Sequence, residues 1–202
     1  HTQRRRQRQM CIRDSRIIED FDKALFLYKS SLNKSPSKTL KEKNILRIAD
    51  VFKSKADFNS SIKFLDSTYN IHITPEIKNK LIEMHLFSGN PDTSLFLINE
   101  SFKTILPDNI YFNDLMELRD FINHFYTNAD EKGKEGFIDF LKSESLLKQR
   151  KVFEANQLLV HIKSSNNSKN IAPLLSLRRA IILTRLKKYN EALSELNFLE
   201  GT

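Results

Sequence analysis

Residues 189–196 read Tyr-Asn-Glu-Ala-Leu-Ser-Glu-Leu, YNEALSEL. A small residue, Ala192, follows the aromatic one by three places, and an apolar residue, Leu196, follows four places later. Those intervals put all three side chains on one face of a helix. The pattern recurs as FDKALFLY from Phe21, FNSSIKFL from Phe58, PDTSLFLI from Pro91 and VFEANQLL from Val152. Its small residues are Ala24, Ser61, Ser94, Ala155 and Ala192, separated by 37, 33, 61 and 37 positions. Three of these steps lie near the period of a helix–turn–helix repeat, about 34 residues. The fourth is one such step plus one extra helix.

The small side chain has a steric reason. Helices packed about 8–10 Å apart need Ala, Ser or Gly where their backbones come nearest. The helix before each pattern should then offer a matching small residue 12 places earlier. Ala49, Ser143 and Ala180 stand there before Ser61, Ala155 and Ala192, while Ile82 breaks the rule before Ser94. The residue four after each small one (Tyr28, Leu65, Ile98, Leu159 and Leu196) is expected to fill the seam between repeats. These positions predict second helices over 18–34, 57–70, 91–105, 151–164 and 188–199. First helices are expected over 38–55, 75–88, 131–149 and 171–186. The extra helix is expected over 109–127, with Leu115, Leu118, Ile122 and Phe125 as its apolar stripe. SGNPD at 88–92 reads as a turn with Asn90 capping the helix that starts at Pro91.

Composition agrees with an all-α chain. Four Gly and five Pro in 202 residues leave little material for the turns of a many-stranded fold. The apolar segment Leu174–Leu186 is broken by Arg178, Arg179 and Arg185, and no run reaches the roughly 18 apolar residues of a membrane span.

The opening HTQRRRQRQMCIRDS differs from everything after it, with five arginines, no lysine and the only cysteine. Residues Arg5–Ser15 resemble a translated sequencing-library adapter, the transposase end read in one frame giving Gln9, Met10, Cys11, Ile12, Arg13, Asp14 and Ser15. Residues 1–15 are therefore set aside from the fold as an adapter-derived segment. The full chain holds 33 Lys and Arg against 25 Asp and Glu; without residues 1–15 the counts are 28 and 24, a net +4 instead of +8. Half the excess charge goes, and with it most of the argument for nucleic acid. Cys11 goes too, which removes a disulfide framework, a cysteine zinc site and a thiol nucleophile. On this reading the natural chain is expected to extend upstream of Arg16 and, since no polar capping helix closes the array, downstream of Thr202. The adapter read-through and the Lys, Asn, Ile and Phe bias point to a bacterial source, with cytoplasm and periplasm both open.

The repeat resembles the tetratricopeptide-repeat family. The -YNEA- of Tyr189–Ala192 after the helix around 174–187 is its nearest match, and Pro36, Pro75 and Pro107 stand at or near helix-ending and helix-starting places. The usual first-helix tryptophan is missing, and Ile48-Ala49 replaces the Leu-Gly pair. The resemblance implies a right-handed α-solenoid of antiparallel helix pairs over 16–202. Its units would be 16–36, 37–73, 74–106, an extra helix at 107–130, 131–169 and 170–202. It also implies that first helices line a concave groove. The residues after the first-helix small positions, Asp50, Glu83 and Glu144, would then form an acidic stripe facing a basic segment of a partner. Ile181 is the fourth member.

Chemical motifs are weak. His72, His85, His124 and His161 fall in no metal-binding spacing. Gly133-Lys-Glu-Gly136 lacks the strand and spacing of a phosphate loop and reads as a flexible helix start. Asp139 and Glu144 have no nucleophile or ligand nearby. Asn59 and Asn167 are sequons without a secretory context. Lys55/Asn59 and Lys163/Asn167 have the spacing of the family's carboxylate-binding pair but straddle turns or helix ends. The expected function is a non-catalytic scaffold that holds a partner protein or peptide, with no cofactor, no metal, no membrane span and no nucleic acid. The alternative is a regulatory or sensor arm of a larger enzyme or transcription regulator.

Overall fold

The computed structural model describes residues 20–34, 37–69, 74–165 and 169–200. The arginine-rich opening with Cys11, Pro36, His72, Asn167, and the expected limits at Arg16 and Thr202 lie outside them. Among the described residues there are ten α-helices, a π-helical turn and a 3-10 turn, with no strand. The helices are α1 (Phe21–Lys34), α2 (Lys38–Ser54), α3 (Phe58–Tyr69), α4 (Pro75–Phe87), α5 (Pro91–Phe102), α6 (Phe112–Ile122), α7 (Glu131–Lys148), α8 (Val152–Ser164), α9 (Ala172–Arg185) and α10 (Tyr189–Glu200). The π-turn is Asn123–Thr127 and the 3-10 turn Lys169–Ile171. Each expected helix is present, most with ends within one to three residues. The fold is all-α, with neighbouring helices packed in pairs. Short connections make such neighbours antiparallel.

The chain divides into two compact units, His1–His85 and Leu86–Thr202, with the boundary inside α4 and so inside the repeat expected over 74–106. In the first unit α1 packs on α2 and α2 on α3. Ala24, Leu25, Tyr28, Ile48 and Val51 make its core, with Phe21, Leu27, Leu32, Phe52 and Phe64 against them. A fully buried Ile such as Ile48 contributes about 2 kcal/mol here. In the second unit α5 meets α6, and α7, α8, α9 and α10 pack in chain order.

The small residues of the pattern, Ala24, Ser61, Ser94, Ala155 and Ala192, are all buried, as are Ala49, Ser143, Ala180 and the exception Ile82. Tyr28, Leu65, Ile98 and Leu159 are buried too. Leu196 departs from that expectation. It is 41% exposed, because no later helix covers that face of α10 among the described residues.

Every first helix ends in the same way. Ala56, Gly89, Arg150 and Lys187 have φ of 57°, 83°, 64° and 60°, and each stands five residues before its small residue. In each the backbone N–H donates to the carbonyl three residues back: Ala56 to Lys53, Gly89 to Leu86, Arg150 to Leu147 and Lys187 to Thr184. This is a left-handed cap that satisfies free helix carbonyls. Only Gly89 is a residue type that announces it.

Three local expectations change. Asn90 does occupy the N-cap of α5, but its side chain makes no cap bond and donates to Ser88 Oγ at 2.8 Å instead. Asp130 provides the side-chain cap seen on α7, accepting from Gly133 N at 2.8 Å. Gly133 is no flexible start: a Cβ there would lie 2.9 Å from both Ala129 Cβ and Asn170 Oδ1, so close approach requires glycine. The extra helix begins at Phe112 after a turn in which Asn109 Oδ1 accepts from Tyr111 N. It ends in the π-turn, where Asn128 N reaches back five residues to Asn123 O. Leu115, Ile122 and Tyr126 are buried, at intervals of seven and four, whereas Leu118 and Phe125 of the expected stripe are half-buried.

Candidate functional site

The sides of α2 that face the core are set by Asn44, Ile45, Ile48, Ala49 and Val51. A helix with that stripe turns Lys43, Arg47 and Asp50 to its opposite side, since they recur at intervals of four and three. On α4 the apolar positions Ile77, Leu81 and Met84 are buried. Lys80 and Glu83, one turn apart, flank them.

These two helices meet through a row of polar contacts. Thr74 Oγ1 donates to Glu42 Oε1 at 2.6 Å. Lys80 Nζ donates to Asp50 Oδ1 at 3.0 Å and to Glu83 Oε2 at 2.7 Å. Lys53 Nζ donates to Glu83 Oε1 at 2.5 Å. The partners advance together, 42 with 74, 50 with 80, and 53 with 83. So α2 and α4 run parallel, side by side, about one repeat apart in the chain.

The electrostatics follow from that row. Burial pushes the Glu83 carboxyl up, but Lys80 and Lys53, each adding charge and a hydrogen bond, outweigh it and hold the group below the usual carboxylate range. Lys80 is also desolvated, which favours its neutral form; Glu83 and Asp50 overcome that and raise it. Arg47 lies 3.8 Å from Asp50 and keeps a side chain 55% exposed.

In the second unit Glu144 sits on α7 and Arg178 on α9, with Arg178 Nε 2.5 Å from Glu144 Oε1, although the N–H does not point squarely at the oxygen. Burial dominates here. Arg178, and more weakly Lys148, do not offset it, and the Glu144 carboxyl is raised. Elsewhere in this unit Glu195, on α10, is buried and held by two cations. Lys163 Nζ of α8 reaches it at 2.6 Å, and Arg179 of α9 binds its other oxygen. Lys163 also donates to Ser176 Oγ at 3.2 Å.

The structure therefore brings Asp50 and Glu83 together around Lys80 and places Glu144 in a separate pair within the other unit. All three carboxylates are engaged by cations of the chain itself. Ile181 of α9 is 36% exposed. Lys53, Lys80 and Glu195 were not singled out from the sequence. The signal that finds Lys53 and Lys80 is opposite charge at a separation of 30, close to the repeat period. Lys163, spaced four residues from Asn167, pairs with Glu195. Lys55 likewise pairs Asp22 at 2.8 Å, while Asn59 is exposed on α3.

Burial lowers His85 on α4, with Asp66 opposing. His124 stands edge-on to Phe125 with ring centroids 4.5 Å apart. Among the described residues no three His, Cys, Asp or Glu side chains gather as a metal site, and no helix is long and apolar enough to cross a membrane. No family model, curated protein or solved structure matches the chain.

Proposed function

We propose that the chain is a non-catalytic interaction module built as a right-handed α-solenoid of degenerate tetratricopeptide-like repeats. It holds a partner peptide or helix on the faces its first helices share, α2 with α4 in one unit and α7 with α9 in the other. One observation carries this reading: side-chain contacts recur between positions one repeat apart. Asp22 with Lys55, Glu42 with Thr74, Asp50 with Lys80, Lys53 with Glu83, Asp92 with Tyr126, Glu144 with Arg178 and Lys163 with Glu195 are separated by 30 to 34 residues. A chain whose neighbours in space lie one repeat away has the nearest-neighbour connectivity of a stacked array. Such stacking leaves extended faces of aligned helices, a surface suited to a linear partner.

The test is selection of peptides from a random library on the full chain, followed by photo-cross-linking of the enriched peptides. An enriched sequence family that cross-links to α2, α4, α7 or α9 supports the reading. No enrichment over a scrambled library, or cross-links confined to α3, α8 and α10, sinks it.

A further inference from the structure

The charge of the described faces is distributed unevenly. Residues 20–85 carry 12 Lys and Arg against 8 Asp and Glu, whereas residues 86–202 carry 15 against 15. All the excess positive charge after residue 19 thus belongs to the first unit. Within that unit the carboxylates of the first-helix face are already used. Glu83 is clamped by Lys53 and Lys80, Asp50 is bound by Lys80, and Glu42 accepts from Thr74. The cations around them are not used to the same degree. Lys38 and Lys43 are exposed and Lys41 half-exposed, none with a carboxylate in ion-pair range among the described residues. Arg47, one turn after Lys43, is 55% exposed and only loosely near Asp50.

We propose that the exposed face of α2, centred on Lys43 and Arg47, docks an acidic linear segment of a partner protein through its side-chain carboxylates. The inference rests on the scaffold reading and sharpens it. The occupant follows from charge complementarity. A basic segment would have to displace Lys53 or Lys80 from carboxylates they already satisfy, at the cost of leaving partly buried ammonium groups unpaired. An acidic one meets Lys43 and Arg47 and competes only with the long, exposed contact between Arg47 and Asp50. Arg47 offers a planar fork for one carboxylate and Lys43 a point charge for another about one turn away. These contacts stay solvent-facing, so they set on-rate and salt dependence. Lys80, itself paired with Glu83, holds one oxygen of Asp50 at 3.0 Å, while Arg47 lies 3.8 Å from the other.

The test uses the 202-residue chain with Arg4, Arg5, Arg6, Arg8 and Arg13 changed to glutamine, so that the opening stretch does not bind acidic probes by itself. Fluorescence anisotropy then compares three labelled probes: an eight-glutamate peptide amidated at its C-terminus, an eight-lysine peptide and a single-stranded oligouridine. The glutamate peptide is expected to bind, to weaken between 50 and 200 mM salt as roughly expected for exposed charges, and to lose about tenfold in affinity with Lys43→Glu/Arg47→Glu. Lys132→Glu/Lys151→Glu in the second unit should leave it unchanged. Should the glutamate pair disturb folding, Lys43→Gln/Arg47→Gln replaces it, with an unchanged urea midpoint as the control and the same loss in direction. Tighter binding of the lysine peptide overturns the proposal, as does insensitivity to both α2 variants. Oligouridine binding at least as tightly as the glutamate peptide overturns it in favour of a nucleic-acid surface. If peptide selection enriches sequences without acidic bias and the glutamate probe does not bind, this inference fails and the scaffold reading stands. If selection enriches nothing, the scaffold reading itself fails.

Discussion

Glu83 and Glu144 follow the small-residue positions of two first helices, one in each unit, and both are partly buried. Their carboxyl groups move in opposite directions. Glu83 has two lysines, at 2.5 and 2.7 Å, and is held below its ordinary range. Glu144 has one arginine within ion-pair distance and is raised. Two close cations outweigh the desolvation of Glu83, whereas Arg178 and the weaker Lys148 do not outweigh that of Glu144. Glu195, buried between Lys163 and Arg179, repeats the two-cation arrangement.

The largest expected effect breaks that arrangement. Glu195→Ala strands Lys163 and Arg179 beside a buried void and should cost about 3 kcal/mol in urea unfolding. Glu83→Ala should cost about 2 kcal/mol, less because the site is more exposed. Glu144→Ala should cost under about 1 kcal/mol, its charged form being disfavoured already. Equal losses at Glu83 and Glu144 would remove the distinction. A pH series sharpens it. Glu83, lowered in the folded state, contributes stability that is present above its unfolded value and lost as pH falls through the folded one. Glu83→Gln should therefore flatten the loss of stability below about pH 4.5. Glu144, raised in the folded state, binds its proton more readily when folded, so its contribution improves as pH falls toward 4.5. Glu144→Gln should flatten that rise. The smallest effects compare the turns that end the first helices. Arg150→Gly and Lys187→Gly in the second unit, and Ala56→Gly in the first, relieve a left-handed backbone that L-residues disfavour, and each should raise the unfolding midpoint by the equivalent of about 0.5–1 kcal/mol. Gly89→Ala should lower it by a similar amount. No gain at any of the three would show that their caps store no strain.

The helices were readable from the sequence because a small residue at a close contact and an apolar residue four later are local signals, repeated five times. The turns were not, because Ala56, Arg150 and Lys187 adopt the conformation of Gly89 without its composition, held by main-chain hydrogen bonds that any residue can make. The acidic positions Asp50, Glu83 and Glu144 could be placed on first helices from spacing alone. Opposite charge at a separation of 30 links Lys53 with Glu83 and Lys80 with Asp50, but that interval acquires meaning only once α2 and α4 lie side by side. Glu195 was missed for the same reason: its two cations come from two different helices.

The π-turn at Asn123–Thr127 carries a consequence for how this stretch tolerates genetic change. One codon more than an α-helix needs is absorbed there, and the reading of inside and outside shifts by about 100° for every residue that follows in the turn. Removing a single codon at 123 or 124 would restore the ordinary helical count and move Tyr126 back one position, about 100° around the axis. The phenol that now donates to Asp92 at 2.8 Å would leave that site, and the much shorter side chain of Thr127 would stand in its place. In-frame length changes, usually the mildest kind in a surface loop, would here act as a substitution at a buried position.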